Sequence, residues 1–282
     1  MIIARDLSDE SIRVGLWKAS DRFRISYERT AQGIIYRTLR TINKRSSAAA
    51  EGAASLDDIR PRVDQAIDKS EPLVIESLDK IRGMIGVQSA RRTFRSVEKT
   101  AARYSEQKDD LESRWIRAVR EFLRIQGAQR VTRILATTKL KISAAINEAI
   151  QAGKSIPQIA TDIVHDAALR TIDKARAMVI ARTETISAMN SGAIAGAEST
   201  GLELTKDWIS TRDDRTRGNP GGRYPDADFD HFSIDGQKTD LNGQFMIPGL
   251  FGFEPLSFPG DPIGSAGNVI NCRCTVGFIP KT

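Results

Sequence analysis

Apolar residues recur at intervals of three and four through most of the first 200 residues, which is the spacing of amphipathic helices. The pattern predicts helices over 8–43, 57–83, 88–126 and 128–153, a short helix that begins at Ser155 and Pro157, and a last helix that ends at Gly201. The first range could hold one helix or two, and Pro72 is expected to bend the second. The small, polar segment 44–58 is the best linker candidate.

The last predicted helix, over residues 171–201, has the most regular pattern. Apolar or small residues stand at 172, 175, 179, 186, 189, 193 and 197, and Arg182 occupies the one position that this stripe skips. A guanidinium left unpaired inside a core costs several kcal/mol. Either the stripe ends in water there, or Arg182 reaches a carboxylate or carbonyl groups. We predict that it is a strut between this helix and the terminal segment, in preference to a catalytic role.

The composition changes near residue 200. Residues 201–282 contain seven of the ten prolines and twelve of the 21 glycines, which is typical of turns, loops and short strands. Within them, "LELTKDWIST" predicts a strand with Leu204 and Trp208 on one face, Asp235-Gly236 predicts a turn, and residues 273–279 predict a last strand. We therefore predict a mainly α protein, in which a long-helix body precedes a small, loop-rich α+β C-terminal domain with short strands.

This change in composition gives a division into three segments. They are an N-terminal helical segment with linker (1–56), a helical body (57–200) and a C-terminal minidomain (201–282). A chain of 282 residues is long enough for one large domain or two ordinary ones. It contains no apolar run near the roughly 18 residues that span a bilayer, and its amino terminus lacks the apolar region of a secretory signal.

Charge is distributed unevenly along the chain. Residues 1–180 carry a net charge of +10, and residues 181–282 carry −4. The basic helical part could lie against nucleic acid or an acidic protein. It could equally be an ordinary solvated helical surface, because acidic residues are interspersed among the basic ones.

Cys272 and Cys274 are the only cysteines in the chain. On a strand, both side chains would point to the same face, which suits two thiolate ligands of one metal ion. His231 is the only histidine in the same region, and Asp213, Asp214, Asp228 and Asp230 are candidates for a fourth ligand, of which we select Asp213. A structural zinc site is one interpretation. The other is that two buried thiols pack together.

The sequence lacks a complete catalytic motif for nucleotide or acyl-transfer chemistry. A metal-dependent nuclease or hydrolase is the enzymatic alternative, and it would use His231 with Asp213, Asp214 and Asp230. A zinc ion held by two thiolates, a histidine and a carboxylate has no open position, which favours a structural role.

The order of these motifs resembles the phage Mu F-like head morphogenesis family of minor head proteins. The resemblance covers roughly residues 110–280 and rests on an ordered series of motifs, which are "ARTET" with Asn190, Trp208, Asp213 with Arg217, His231 with Asp235-Gly236, "PGDP" at 259–262 and "NCRC" at 271–274. Residues 1–110 carry no motif of this series.

The resemblance implies a non-enzymatic minor capsid protein that acts in head assembly at the portal vertex of a tailed double-stranded-DNA phage. Its expected partners are the portal protein and the major capsid protein, with packaged DNA within reach of the basic helices and no membrane contact. The expected location is the virion, after synthesis in the host cytoplasm. Arg182, Glu184 and Trp208 are then predicted to have structural roles.

Overall fold

The computed structural model describes residue 7, residues 9–100 and residues 109–281. Its helices are α1 (Glu10–Glu51), α2 (Leu56–Asp68), α3 (Glu71–Thr100), α4 (Asp109–Gln151), α5 (Ile156–His165), α6 (Ala167–Glu198) and α7 (Ala266–Val269). Its strands are β1 (Leu204–Ile209), β2 (Lys238–Asp240), β3 (Phe245–Gly249), β4 (Gly252–Leu256) and β5 (Thr275–Pro280). The predicted fold class, mainly α with a small α+β end, is confirmed. Within the described ranges, no helix has both the length and the apolar character of a membrane span.

The predicted linker 44–58 is wrong for much of its length. Helix α1 continues through the alanine-rich segment to Glu51, and only residues 52–55 separate it from α2. Alanine is the strongest helix former, and Ser46 and Ala50 are fully buried. Small side chains at these positions therefore serve helix packing.

Two other predicted helix boundaries are also corrected. The expected bent helix 57–83 is two helices, because α2 ends at Asp68 and α3 begins at Glu71. Pro72 lies in the first turn of α3, where its missing N–H is not needed. The expected break between 126 and 128 does not exist, because α4 continues through Gly127. The predicted helix 88–126 includes residues 101–108, which lie outside the described residues, as does the side chain of Phe122 on its predicted apolar face.

Helix ends predicted from capping residues are confirmed. Gly153 follows α4 with a positive φ of 69°, and Gly201 follows α6 with a φ of 64°, a conformation in which glycine pays no steric cost. The backbone N–H of Ser155 donates to Oε1 of Gln158 over 2.8 Å at the start of α5. This contact is half of a capping box.

The C-terminal region contains a three-stranded antiparallel sheet of order β2-β1-β5 and a separate hairpin of β3 and β4. The predicted strand at "LELTKDWIST" is β1, with Leu204 and Trp208 both buried, and the predicted last strand is β5. Residue Trp208 pairs with Val276 across the centre of this sheet. The chain's last segment is thus fixed beside the strand that follows α6.

The described chain forms two compact units built from interleaved segments. One contains residues 1–28, 81–125 and 182–282, and the other contains 29–80 and 126–181. These units are defined by contacts within the structure and do not correspond to the three segments predicted from the sequence. The division of the sequence at residues 56 and 200 stays a prediction.

Within the first unit, α3 and α6 approach each other at small residues. A Cβ added at Gly192 would lie 2.1 Å from the carbonyl oxygen of Gly86, and one at Gly196 would lie 2.2 Å from that of Ala90. The hydroxyl of Ser89 donates to the carbonyl of Met189 over 2.6 Å. Backbone therefore packs directly on backbone along this contact.

The second unit is an all-helical cluster with polar ties among its buried residues. The amide of Asn43 donates to Asp173 over 2.8 Å, and the hydroxyls of Thr38 and Ser77 lie 2.7 Å apart. Ile59, Val63 and Ile67 form the buried face of α2.

Candidate metal centre

Three predicted ligands come together in the C-terminal region. Nδ1 of His231 lies 3.7 Å from Sγ of Cys272 and 3.6 Å from Sγ of Cys274, and each of the three residues is only 2% exposed. A zinc ion with typical bond lengths and tetrahedral angles would separate nitrogen from sulfur by about 3.6 Å. Among the residues that the structure describes, His231, Cys272 and Cys274 form the group of candidate ligands whose atoms lie close enough together to hold a metal ion.

The imidazole of His231 is oriented by Asn268. Nε2 of His231 lies 3.0 Å from Oδ1 of Asn268, while Nδ2 of Asn268 donates to the carbonyl of Pro248 over 3.1 Å. Because the amide nitrogen is used as a donor, its oxygen accepts from Nε2–H. The lone pair of His231 is therefore on Nδ1 and faces both sulfurs, which is the arrangement that metal-ligating histidines adopt.

The two thiols differ in acidity because they share a buried hydrogen bond. The bond from Cys274 stabilises the Cys272 thiolate and lowers the pKa of Cys272 to about 7, against the opposing effect of burial. The same bond, together with burial, raises the pKa of Cys274. Without a cation the pair thus gives up one proton readily and keeps the other. A bound metal ion would stabilise both thiolates.

Asp213, the predicted fourth ligand, lies outside this group and faces Arg273. The guanidinium of Arg273, which stands between the two cysteines, binds both carboxylate oxygens of Asp213, at 2.5 and 2.6 Å. Burial raises the pKa of Asp213, but the hydrogen bonds and charge of Arg273 outweigh it and hold that pKa well below its usual range. Three protein ligands are therefore in place among the described residues.

Arg182 links α6 to two other segments. Its Nε donates to Glu28 over 2.6 Å, and its Nη1 lies 3.3 Å from Oδ1 of Asn271. The backbone N–H of Asn271 donates to the hydroxyl of Thr183 over 3.2 Å. The structure thus places Arg182 between α1 and the segment that carries the cysteines, with its side chain 24% exposed.

Two further α6 side chains make buried ties to their surroundings. Glu184 accepts from Nε of Arg82 over 2.8 Å, and both side chains are almost fully buried. The amide of Asn190 donates to the carbonyls of Pro259 and Cys274 over 2.8 and 3.2 Å. Residues of the "ARTET…N" motif therefore hold the "PGDP" and "NCRC" motifs.

The "PGDP" turn contacts α6 at Gly260. This glycine has a φ of 82°, and a Cβ there would lie 2.8 Å from Cγ2 of Ile186. Oδ2 of Asp261 accepts the backbone N–H of Ser257 over 2.8 Å and closes the turn. Only glycine satisfies both the backbone angle and the close approach.

Trp208 forms the floor beneath the candidate metal centre. Its ring packs edge-on against His231, with centroids 5.5 Å apart, and against Phe245 at 5.4 Å. Arg217 donates to the backbone carbonyls of Gly267 and Ile270, on either side of Asn268 in the chain. The site is therefore enclosed by aromatic and backbone groups.

The other carboxylates that a nuclease would need are engaged elsewhere. Asp214 pairs with Arg223 over 2.6 Å, and Oδ1 of Asp230 accepts the backbone N–H groups of Phe232 and Ser233 over 2.8 and 2.9 Å. Neither carboxylate belongs to the group around His231.

Sequence reasoning missed several residues that support this region. Arg13 of α1 binds both carboxylate oxygens of Asp207 and also donates to Asp235 and to the carbonyl of Trp208. Lys206 is buried with its ammonium 2.8 Å from the carbonyl of Ser257, and burial lowers its pKa to about 8. For Lys206, the available signal was a basic residue at a position where strand alternation predicts a buried side chain. That signal does not identify the group that Lys206 contacts.

Together the fold and the site define a helical protein whose last long helix holds a small terminal region with a buried His-Cys-Cys group. Residues 140–277 match the family described as Phage Mu protein F like protein. Over this segment, which runs from within α4 to β5, the chain is similar to that family. Comparisons with curated proteins and with solved structures give no significant match.

Proposed function

We propose that this protein is a minor head protein of a tailed double-stranded-DNA phage or prophage and acts in head morphogenesis at or near the portal vertex. The observation that carries the proposal is the family match over residues 140–277. It includes α6 and every motif residue that α6 contacts in the terminal region. Buried side-chain hydrogen bonds of Asn190 therefore join motifs within the part of the chain that resembles the phage family.

The protein acts through structure and is not an enzyme. The three candidate ligands are 2% exposed, so a substrate has little access to an ion held there. The carboxylates of the nuclease alternative are paired with arginines or backbone groups. These observations favour a site that stabilises the terminal region.

The metal is zinc, and its role is structural. Two thiolates and an imidazole are a donor set that zinc binds well, and the spacing of the sulfurs and Nδ1 fits tetrahedral coordination. His231, Cys272 and Cys274 would hold the ion, and Asn268 would keep Nδ1 directed at it. An ion there stabilises the loop-rich terminal region by joining the segment that carries the cysteines to the loop that carries His231.

The partners are the portal protein and the major capsid protein, and the protein is located in the virion after synthesis in the host cytoplasm. The +10 net charge of residues 1–180 supports packaged DNA as a further contact. A DNA-binding structural protein is thus compatible with the main proposal and is not a separate activity.

A deletion of the gene in its phage tests the proposal. Phage without this chain should still make coat protein but give heads that are defective or poorly infectious, and the wild-type gene supplied in trans should restore them. The matched variant is Asp214→Ala, which removes an exposed carboxylate that the nuclease alternative requires. Full restoration by Asp214→Ala supports a structural role. Normal heads in the deletion, or failure of this variant accompanied by magnesium-dependent nuclease activity of the wild type, would reject it.

A further inference from the structure

Two arginines without a carboxylate partner lie close together where α1 meets α3. Arg22 is exposed on α1, and Arg92 of α3 is partly exposed. Burial lowers the pKa of Arg92, and the nearby positive charge of Arg22 lowers it further. Among the residues that the structure describes, no carboxylate pairs with either guanidinium. The two charges therefore repel each other without compensation.

An aromatic ring holds Arg92 in place. Its Cζ lies 5.3 Å from the centroid of the Phe23 ring, which packs against Tyr27 with centroids 4.9 Å apart. A contact between a cation and a ring face uses none of the five N–H donors of a guanidinium. These donors form a planar fork that matches two oxygens of a phosphate group. Arg92 is thus positioned while its donors remain available to an acceptor on another molecule.

Two more basic residues extend this surface along both helices. Lys18 lies one turn before Arg22 on α1, and Arg95 lies one turn after Arg92 on α3. Both Lys18 and Arg95 are exposed. We call these four residues the α1–α3 basic surface.

Acidic residues do not balance this surface in the way that interspersed charges usually do. Residues 80–97 of α3 contain five basic residues and no acidic one. On α1, the neighbouring carboxylates of Asp21 and Glu28 both pair with Arg24. The surface therefore carries a local excess of positive charge.

The surroundings fit a phosphate backbone better than an acidic protein. A stable protein interface has large apolar or aromatic side chains at its centre. Ile25 is exposed within a turn of Arg22, but none of residues 88–96 of α3 is an exposed large apolar residue. Binding to a phosphate backbone requires only positive charges and hydrogen-bond donors.

We propose that the α1–α3 basic surface binds the phosphate backbone of double-stranded DNA, with Arg22 and Arg92 as its central contacts. A phosphate between the two guanidiniums removes their mutual repulsion. Helix side chains that contact only phosphates do not read the base sequence, and packaged DNA presents every sequence in turn. The inference deepens the proposed contact with DNA, and it rests on the proposed function for the identity of the polyanion.

Fluorescence anisotropy of the full chain with labelled duplexes of two unrelated sequences tests the site. The wild type should bind both duplexes equally, and four phosphate contacts should give a slope of log K against log salt of about −3 to −4. The double variant Arg22→Gln with Arg92→Gln should bind about tenfold or more weakly at low salt and reduce the steepness of this slope by about two.

Two double variants serve as controls. Arg22→Lys with Arg92→Lys keeps both charges and should retain most of the affinity. Arg60→Gln with Arg170→Gln removes the same charge from exposed arginines that each have an acidic residue one turn away. It should change the affinity by less than about twofold. All these variants should keep the wild-type Tm.

Three results would overturn the proposal. They are no duplex binding by the wild type at low salt up to about 100 μM protein, an equal loss of affinity in the Arg60 and Arg170 variant, or tighter binding of poly-glutamate than of DNA that depends on Arg22 and Arg92. The last result would favour an acidic protein as the partner. A chain that is present in phage particles but does not bind DNA would reject this site alone, whereas absence from the particles would reject the proposed function.

Discussion

At the scale of single residues, the terminal region is held by polar side chains that each join two segments. Asn268 connects His231 to the hairpin carbonyl of Pro248, and Asn190 connects α6 to the backbone at Pro259 and Cys274. A buried polar group is costly unless it is fully paired. Such residues therefore specify one arrangement of a loop-rich segment, and replacing them should have large local effects.

The metal proposal predicts about one zinc per chain in protein purified without a chelator. Cys272→Ser or His231→Ala should release the ion, because two remaining ligands cannot hold it. Asn268→Ala should keep the ligands but lower the affinity about 10- to 100-fold, since the imidazole loses its orienting partner. Elemental analysis and competition with a chromogenic chelator measure both effects. The proposal would be contradicted if properly folded wild-type protein contained no metal and if thiol titration found two free thiols per chain.

The same measurement on Asp213→Asn addresses the predicted fourth ligand. Because Asp213 binds Arg273 on both of its oxygens, we expect the variant to retain zinc and to lose only stability. Loss of zinc from Asp213→Asn, with the fold intact, would instead make this carboxylate a ligand.

Burial distinguishes the two arginine ties of α6. Arg82→Ala should reduce the free energy of unfolding by about 3–5 kcal/mol, because it removes one partner of a buried ion pair. Arg182→Ala should cost roughly 1–2 kcal/mol, because Arg182 is partly exposed and Arg24 also pairs with Glu28. Denaturant unfolding of both variants shows which of them loses more of the free energy of unfolding. Equal losses in the two variants, or no loss in Arg82→Ala, would contradict the conclusion that the Arg82–Glu184 pair contributes more to stability than Arg182 does.

Some of these residue roles could be predicted from the sequence, and others could not. Arg182 was conspicuous because it interrupts an apolar stripe, and the cysteines because they are the only two. The partners of Arg182, His231 and Asp213, which are Glu28, Asn268 and Arg273, were not predictable. Each contact joins positions far apart in the chain, and an ordinary polar residue gives no local signal of it.

At the scale of elements, the contact between α3 and α6 depends on glycine. The backbones meet where Gly192 faces Gly86 and Gly196 faces Ala90. A helix of small residues can approach a neighbour more closely than one with large side chains, and it then gains contacts along its whole backbone. The position of α6 determines where its motif residues reach the terminal segment.

Gly192→Ala should therefore destabilise the protein by about 3 kcal/mol or more, since the added methyl would overlap the backbone of Gly86. The control is Gly83→Ala in α3, where an added Cβ meets nothing within 4 Å. That change should be neutral or stabilise by up to about 1 kcal/mol, because alanine is the better helix former. Thermal and denaturant unfolding compare the two. A similar response of both variants would show that the close contact does not limit stability.

The elements themselves were largely predictable, because most have strong apolar periodicity or clear capping residues. The errors have local causes: alanines that continue α1, a proline that starts α3, and a glycine that does not interrupt α4. The hairpin of β3 and β4 was missed because its outward face is apolar, so the alternation that marks a half-buried strand is absent.

At the scale of the whole molecule, the family match covers the same part of the chain as the hydrogen bonds between α6 and the terminal region. Residues 140–277 contain the helix, the turn and the cysteine segment, together with the enclosed ligand group. An enclosed site serves stability better than turnover. The basic helices and the exposed hairpin then remain available for contacts with other molecules. These features support our proposal that the protein is a structural component of a phage head.

The most direct test of that conclusion is quantitative mass spectrometry of gradient-purified procapsids and mature virions. We expect this chain in the particles, at a few copies relative to the major capsid protein. It should remain after washes that remove loosely bound host proteins. Its consistent absence from both procapsids and virions would contradict a structural role in the head.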